Sequence, residues 1–510
     1  MARDAKDRDW TVGVIGTGTM GRGIMQVAAA GGMRVLAHDE RAAAAEDAKN
    51  YIAKMLARSA EKGRVTAEAA EAATHRIGIA ADVSDLAQCD IIIEAVAERL
   101  DVKQAVFSKL DAMVRPDCIL ATNTSSLSVT AIAASCKQPQ RVAGFHFFNP
   151  VPLMKLVEVI PGLKTDSAVT ETLMAVGRRM GREPVLTKDS PGFLVNHVGR
   201  AYVPEALRIV GEQIARPHDV DQIMREAAGF RMGPFELLDL VGADVAHPVM
   251  ESLYEQYYGE PMYAPLTLMR QRVAGSLLGR KTSEGFYRYE NGKAVNPPPA
   301  AVPNAAVPNV WISKQEPDGY QAAQALLSKL GATIETGDGP TAEALCVVTP
   351  FGQDATTAVA AQRLSAERTV ALDTLFSLEQ RRTIMVTPLI DKRYLDAAHA
   401  LLAGDGAHVA IINDSPGFVA QRIVAMLINV GCNIAQQRIA TPGDIDAATR
   451  LGLNYPFGPL EFGDRIGARK VLGILEAVHG FYQEPRYRPS AWLRRRALLG
   501  VSLLTPDAVI

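Results

Sequence analysis

Apolar residues along this chain follow two rhythms that alternate through the first 190 positions. Short continuous runs such as "TVGVI" at 11–15, "CDIIIEAVAE" at 89–98 and "CILAT" at 118–122 read as buried strands. Between them, "LDVKQAVFSKLDAMV" and the alanine-rich stretch after Gly21 carry the three-to-four spacing of amphipathic helices. This alternation predicts an α/β domain built on a doubly wound parallel sheet, with ligands gathered outside the carboxyl ends of its strands. From "DSPGF" at 189 the rhythm turns wholly helical over "LVNHVGRAYVPEALRIVGEQIA", "PHDVDQIMREAAG" and "GPFELLDLVGADVAHPVMESLYEQYY". A Pro/Ala-rich run, "NPPPAAVPNAAVPN" at 296–309, predicts an extended linker.

Beyond the linker the chain repeats itself. Residues 413–467 align without gaps on 188–242, with Asp414 to Phe418, Asp444, Asp446, Gly458-Pro459, Glu461 and Asp464 all recurring. Gln421 stands where the first copy has Asn196, and Arg422 where it has His197. Upstream, 310–412 still alternates strand and helix but lacks the glycine loop and any His/Glu pair in register, so it reads as an eroded sheet domain with no second active site. "RRTIMVTPLI" stands roughly where its histidine strand belongs. The expected organisation is a sheet domain over 1–188, a helical domain over 189–295, the linker over 296–309, the degenerate sheet segment over 310–412 and a second helical copy over 413–510.

Net charge narrows the function classes. A formal charge of −2 over 510 residues leaves no nucleic-acid footprint. No apolar stretch reaches the roughly 18 residues of a membrane span. The five cysteines (Cys89, Cys118, Cys136, Cys346, Cys432) are scattered and form no C-x-x-C, so neither a disulfide framework nor a zinc site is expected. The charged N-terminal "MARDAKDRDW" is unlike a signal peptide. A reducing, cytoplasmic setting with no metal is the expectation.

Chemistry enters at the strand ends. The first strand runs through Gly16-x-Gly18-x-x-Gly21 into a helix, and a second strand, "MRVLAHD", ends in Asp39. A lone G-x-G-x-x-G is weak, but strand, glycines, helix and a following acid together make a Rossmann-type dinucleotide-binding fingerprint. Gly16 permits the tight turn, Gly18 lets backbone approach a pyrophosphate at the helix N-terminus, and Gly21 lets helix and strand pack closely. Thr19 and Met20, inside the loop, are counted with them as cofactor-binding positions. Asp39 would accept from an adenosine ribose and repel a 2′-phosphate, which favours NAD over NADP; Arg41 lies close enough to soften that preference. Further strand ends carry Glu94 and Glu98 with Lys103 a turn on, the Asn123–Ser126 loop, and His146.

"GFHFFNPVPLMKLVEV" at 144–159 resolves when folded about Pro152. Residue 146 then opposes residue 158, with Phe147 against Val157 and Phe148 against Leu156. An antiparallel pair thus sets His146 and Glu158 side by side on one face. A buried carboxylate beside an imidazole fixes its tautomer and frees the other ring nitrogen to act as a base. The plain alternative, a structural ion pair, is a poor stabiliser once buried.

"NTSSL", "GFHFFNPVPLMKLVEV", "DSPGFLVN", "GPFELLDLVG" and "GRKTSEGFYRY" together, in order over 10–290, resemble the NAD-dependent L-3-hydroxyacyl-CoA dehydrogenase family. The resemblance implies His146 as catalytic base, Glu158 as its partner, and Asn149 as a further active-site position. It implies that Ser125 and Asn196 contact the substrate's reacting end, and that Glu98, Lys103 and Asn123 touch the dinucleotide. His146 would take the 3-hydroxyl proton while hydride leaves C3, giving a 3-oxoacyl thioester, and Ser125 and Asn196 would hold the substrate oxygens as charge develops. Lys54, Arg58 and Lys62 form a basic stripe that reads plainly as a solvated face. In this family the arm lies near coenzyme A, which implies Lys54, Lys62 and Ser59 as substrate contacts.

Single-copy members would be expected to pair helical domains between subunits. Here the second copy either mimics that partner within one chain or swaps in a homodimer. The chain opens at its nucleotide-binding strand, so no hydratase half is expected. The nearest likeness is to bacterial 3-hydroxybutyryl-CoA and 3-hydroxyadipyl-CoA dehydrogenases, the latter serving phenylacetate breakdown. The adipyl thioester is favoured by the degenerate middle and second copy, with Lys155 and Arg200 as guesses for a distal carboxylate. The rivals are an L-gulonate-type sugar-acid dehydrogenase and a noncatalytic NAD-binding protein.

Overall fold

The computed structural model describes residues 9–508, so residues 1–8, most of the stretch judged unlike a signal peptide, lie outside the described residues. The sheet domain holds β1 (Thr11–Ile15), β2 (Arg34–His38), β3 (Ile77–Ile79), β4 (Ile91–Glu94), β5 (Ile119–Thr122), β6 (Val142–Phe147), β7 (Leu156–Pro161) and β8 (Glu183–Leu186). They form one sheet in the order β3-β2-β1-β4-β5-β6-β7-β8, and every neighbouring pair is parallel except β6 with β7. Side chains alternate across it: Ile91 and Ile93 join one apolar layer and Ile92 the other, as two-sided burial of a parallel sheet requires. The helices of this region are α1 (Thr19–Ala30), α2 (Ala42–Glu61), α3 (Ala67–His75), α4 (Leu100–Met113), α5 (Val129–Ala133), α6 (Ser167–Arg179) and α7 (Val195–Val198).

The stretch read as one helix from Leu194 onward is broken. α7 stops at Val198 and α8 (Tyr202–Gly211) begins after a turn. Pro204 explains the break. In a continuous helix its ring would clash with the carbonyl four residues back, whereas here it sits in the first turn, where its missing N–H costs nothing. The second copy has Asn429 at that place and runs unbroken.

The helices continue with α9 (Pro217–Glu226), α10 (Pro234–Val241), α11 (Ala243–Gln256) and α12 (Thr267–Ala274), then a small hairpin of β9 (Tyr289–Glu290) and β10 (Lys293–Ala294). A second sheet follows: β11 (Val310–Ile312), β12 (Leu345–Val348), β13 (Thr369–Leu372), β14 (Arg381–Val386) and β15 (His408–Ile412), with α13 (Pro317–Lys329), α14 (Ala355–Gln362) and α15 (Lys392–Leu402) between them. Last come α16 (Ala420–Gln436), α17 (Pro442–Leu453), α18 (Pro459–Ile466), α19 (Ala468–Tyr482) and α20 (Ala491–Leu499).

Two compact units result. One runs to His197 and takes in Gln437–Leu453; the other comprises Val198–Gln436 and the chain from Asn454 on. Within the first, α17 of the second helical copy lies against β7 and β8. Within the second, α9 of the first copy lies against β14, and α8 packs on α16. Among the described residues all five cysteines are free, no cluster of His, Cys, Asp and Glu is arranged to hold a metal, and no helix is long and apolar enough to cross a membrane.

Candidate active site

The glycine loop sorts by role. Gly16 has φ +86°, and a Cβ there would come 2.6 Å from the Ala95 carbonyl oxygen; at Gly21 it would collide with the Gly16 carbonyl. The fold itself therefore demands those two glycines. At Gly18 a Cβ would meet nothing within 4 Å, so packing does not require it. Bare backbone there borders a cleft of about 380 Å³ lined by Gly16, His38, Asp39 and Val96 among others. Glycine at Gly18, opening α1, is what close approach of a pyrophosphate to a helix N-terminus calls for, so these residues fit a dinucleotide. Thr19 and Met20 form the first turn of α1.

Asp39 is held by a partner that pattern reading missed. Thr17 donates to its Oδ2 from the backbone N–H (2.8 Å) and from Oγ1 (2.9 Å), and the Arg41 N–H donates to Oδ1. Burial works against ionisation, but these donors outweigh it and keep the carboxyl below its usual range. Arg41 thus supports Asp39 through its backbone. Oδ1 still has acceptor capacity for a ribose hydroxyl.

The acids and lysine at the next strand ends turn inward. Glu94, at the end of β4, takes Lys103 Nζ (2.6 Å) and the Val96 N–H (2.7 Å) on Oε1 and the Thr122 hydroxyl on Oε2. Lys103 is only 1% exposed and also lies 3.3 Å from Glu98. Glu98 gathers the serine loop on one oxygen: Thr124 Oγ1 (2.6 Å), Ser125 N (2.8 Å), Ser126 Oγ (3.0 Å) and Ser126 N (3.1 Å). Burial opposes its charge, yet the Thr124 hydroxyl, Lys103 and the Ser125 N–H hold its carboxyl below the ordinary value. Asn123 accepts the Phe147 N–H (2.9 Å), tying the same loop to the end of β6. Asp189 anchors its far side, accepting from Ser128 Oγ and from the Val129 and Thr130 N–H groups that open α5. Ser125 itself stays exposed.

On β6 and β7 the register pairs His146 with Glu158 and Phe147 with Val157. β6 ends there, so the expected Phe148–Leu156 pair lies outside the ladder. His146 Nδ1 is 2.6 Å from Glu158 Oε2. The other carboxylate oxygen accepts the N–H groups of Val195 (2.8 Å) and Leu194 (3.1 Å). A carboxylate only accepts, so Nδ1 carries the hydrogen and Nε2 is left as the basic nitrogen. Glu158 is wholly buried, His146 is 5% exposed, and the rings of Phe148 and Phe193 flank the imidazole at 4.4 and 5.9 Å. Asn196 follows Val195 directly, so the backbone that holds Glu158 also sets its amide. Asn149 stands exposed just past β6.

The remaining positions are looser. Lys54 and Arg58 are exposed on α2 and Lys62 caps its end, while Ser59 gives its proton to the Met55 carbonyl (2.9 Å). Lys155 is exposed in the bend before β7. Arg200 belongs to the other compact unit, where burial draws its guanidinium down to about 10.

A glycine-bordered dinucleotide cleft and an aimed His–Glu pair sit in one sheet domain. Residues 11–190 match the 3-hydroxyacyl-CoA dehydrogenase NAD binding domain, and residues 192–289 and again 417–502 match the C-terminal domain of that family. The chain belongs to the 3-hydroxyacyl-CoA dehydrogenase family. It is an NAD-dependent oxidoreductase of 3-hydroxyacyl-CoA thioesters. A 3-hydroxyadipyl-CoA dehydrogenase of Escherichia coli K12 is 39% identical over 96% of this chain and 98% of its own. A 3-hydroxybutyryl-CoA dehydrogenase of Bradyrhizobium diazoefficiens is also 39% identical, over 56% of this chain and 97% of its own. The solved structure of a 3-hydroxybutyryl-CoA dehydrogenase from Escherichia coli K12 superposes with a TM-score of 0.85 at 37% identity, covering 96% of this chain and 99% of that one.

The dehydrogenase's second sheet repeats β4–β8 strand for strand: β11, β12 and β13 run parallel, β14 antiparallel to β13, and β15 parallel to β14. This corrects one expectation. "RRTIMVTPLI" forms β14 and occupies the place of the glutamate strand; β13 is the counterpart of the histidine strand. Both are short apolar runs, and only pairing direction separates them. Counting along the ladders puts Asp373 where β6 has His146 and Thr383 where β7 has Glu158. Gln421 closes the space, donating to Asp373 Oδ1 (2.9 Å) and accepting the Gly352 N–H (2.9 Å).

Burial pushes the Asp373 carboxyl up to about 6, despite the Gln421 and Leu375 donors. A raised acid binds its proton more tightly folded than unfolded, so its penalty is absent in acid and grows as pH rises to about 6. Asp373→Asn should therefore stabilise the protein by about 2 kcal/mol at pH 8. The gain should vanish near pH 3.5, and urea unfolding at both pH values measures it.

Proposed function

We propose that His146 is the general base of this dehydrogenase, with Glu158 as its orienting partner and Ser125 and Asn196 as donors to the substrate oxygens. The 2.6 Å Nδ1–Glu158 contact carries this reading, because it leaves Nε2 as the free basic nitrogen. His146 Nε2 takes the proton of the 3-hydroxyl as that oxygen becomes a carbonyl, and returns it in the reverse direction. The loop of Gly16, Gly18 and Gly21, with Asp39, would hold NAD, which would supply the hydride acceptor for C3. The Ser125 hydroxyl and the Asn196 amide hold the oxygen as its charge changes. Glu98 and Lys103 act on the reaction through the loop that presents Ser125, and Asp39 selects the ribose of NAD. Lys54, Ser59 and Lys62 face the coenzyme A carrier.

The substrate we favour is (S)-3-hydroxyadipyl-CoA, which places the protein in phenylacetate breakdown in the cytoplasm. Support comes from the relative of that name, which aligns with 96% of this chain and so spans both helical copies. Lys155, exposed beside the bend that follows His146, is the candidate for the distal carboxylate. The two helical copies pair within the chain, a reading supported by the packing of α8 on α16.

Steady-state rates with 3-hydroxy thioesters of butyryl, hexanoyl and adipyl chains, each with NAD and with NADP, test this reading. The adipyl thioester with NAD should give the highest kcat/KM. A flat ranking removes the dicarboxylate, and a preference for NADP removes the role given to Asp39.

A further inference from the structure

Helix α17 belongs by sequence to the second helical copy, yet it lies against the strand that carries Glu158. The chain is pinned there ahead of the helix: the Lys188 N–H donates to the Ile439 carbonyl (2.8 Å) and Lys188 Nζ to the Gln437 carbonyl (3.1 Å). At the far end of α17 stands Gly452. A Cβ at this position would come 3.0 Å from Leu156 and 3.1 and 3.3 Å from the two methyls of Val195. These are not arbitrary neighbours. Leu156 opens β7 two residues before Glu158, and Val195 gives its N–H to Glu158 Oε1.

The first copy lacks this arrangement. Its counterpart of Gly452 is Ala227, just past α9, and α9 meets β14 with Glu226 paired to Arg381 (2.9 Å). The copy facing the sheet with the His–Glu pair has a glycine at the contact; the copy facing the sheet without it does not. Glycine within a helix is unfavourable on its own and signals close approach of a neighbour.

We propose that α17 is a positioning element of the active site, with Gly452 as its contact point. By backing Val195 and Leu156 it keeps the Leu194 and Val195 N–H groups on Glu158, and so keeps Glu158 on His146. The second helical copy thereby serves the one site, though it contributes no residue to the reacting atoms. This rests on the reading of His146 and Glu158 as the catalytic pair.

The test compares Gly452→Ala with Gly443→Ala, in the full chain. Both glycines lie on α17, but a Cβ at Gly443 would meet nothing within 4 Å. A displacement near 1 Å costs about 10²-fold in rate, so the few tenths forced by Gly452→Ala should lower kcat by about three- to tenfold. The KM values for thioester and NAD should hold, and the pH–rate profile should move. Gly443→Ala should leave all of these unchanged. Adding Val195→Ala to Gly452→Ala removes two of the three crowded contacts, leaving that with Leu156, and should recover part of the lost kcat.

A Gly452→Ala enzyme with wild-type kcat and pH profile overturns the proposal. So does a loss that Val195→Ala does not lessen at all while the melting temperature is unchanged. Retention of turnover in His146→Gln would instead overturn the catalytic reading, which separates the two failures.

Discussion

Replacing His146 with glutamine is expected to lower kcat by about 10²–10⁴-fold, the range that a lost general base commands. Glutamine suits the test because it is of similar reach and its amide can still donate to Glu158 Oε2, the acceptor that now takes Nδ1. What it lacks is a nitrogen able to hold a proton. The buried carboxylate keeps a partner, so folding should be preserved and the loss should fall on turnover, with thioester KM nearly constant. NADH formation at saturating substrate, beside a melting curve, measures both. A folded His146→Gln enzyme that oxidises its thioester at the wild-type rate would remove imidazole from the chemistry.

That pair was legible in the chain because a hairpin obeys local arithmetic. A bend at Pro152 and apolar partners on either side leave one register, and His146↔Glu158 follows from it. The glycine loop was legible for the same reason, since strand, turn and helix are adjacent in sequence. Glu98 was not. Its oxygen collects Thr124, Ser125 and Ser126 from a different strand end, a meeting created by the sheet and by no spacing along the chain. Thr17 beneath Asp39 was hidden likewise.

The internal repeat announced a second helical domain, but not where its parts would lie. Nothing in two similar copies says that α17 goes to the first sheet and α9 to the second. Pairing direction, absent from periodicity, also decided between β13 and β14. What the sequence does record is the outcome of that exchange, in Gly452 against Ala227 and in Arg422 against His197.

Arg422 carries the second large prediction. Within its unit it joins α16 of one helical copy to α8 of the other: Nε donates to Glu205 (2.6 Å), Nη1 and Nη2 to Glu212 (2.9 Å each), and Nη2 also to the Tyr487 hydroxyl (2.7 Å). Arg486 takes the second oxygen of Glu205 (2.6 Å), and Arg422, Arg486 and Glu205 are all buried. Removing one partner from such a cluster strands the others in low dielectric, so Arg422→Met should cost about 3–5 kcal/mol at pH 7. Burial resists ionisation of Glu205, but Arg486 and Arg422 overcome it and hold the carboxyl at about 2. A lowered acid contributes stability above its ordinary range and loses it as pH falls toward 2. The gap between wild type and Arg422→Met should therefore narrow between pH 5 and pH 2.5. Glu205→Gln combined with Arg422→Met should be more damaging than Arg422→Met alone, since buried Arg486 then loses the carboxylate it pairs with. Urea unfolding across that pH range reads all three proteins. A gap below about 1 kcal/mol at pH 7, the scale of an exposed pair, would mean that apolar packing alone holds α8 to α16.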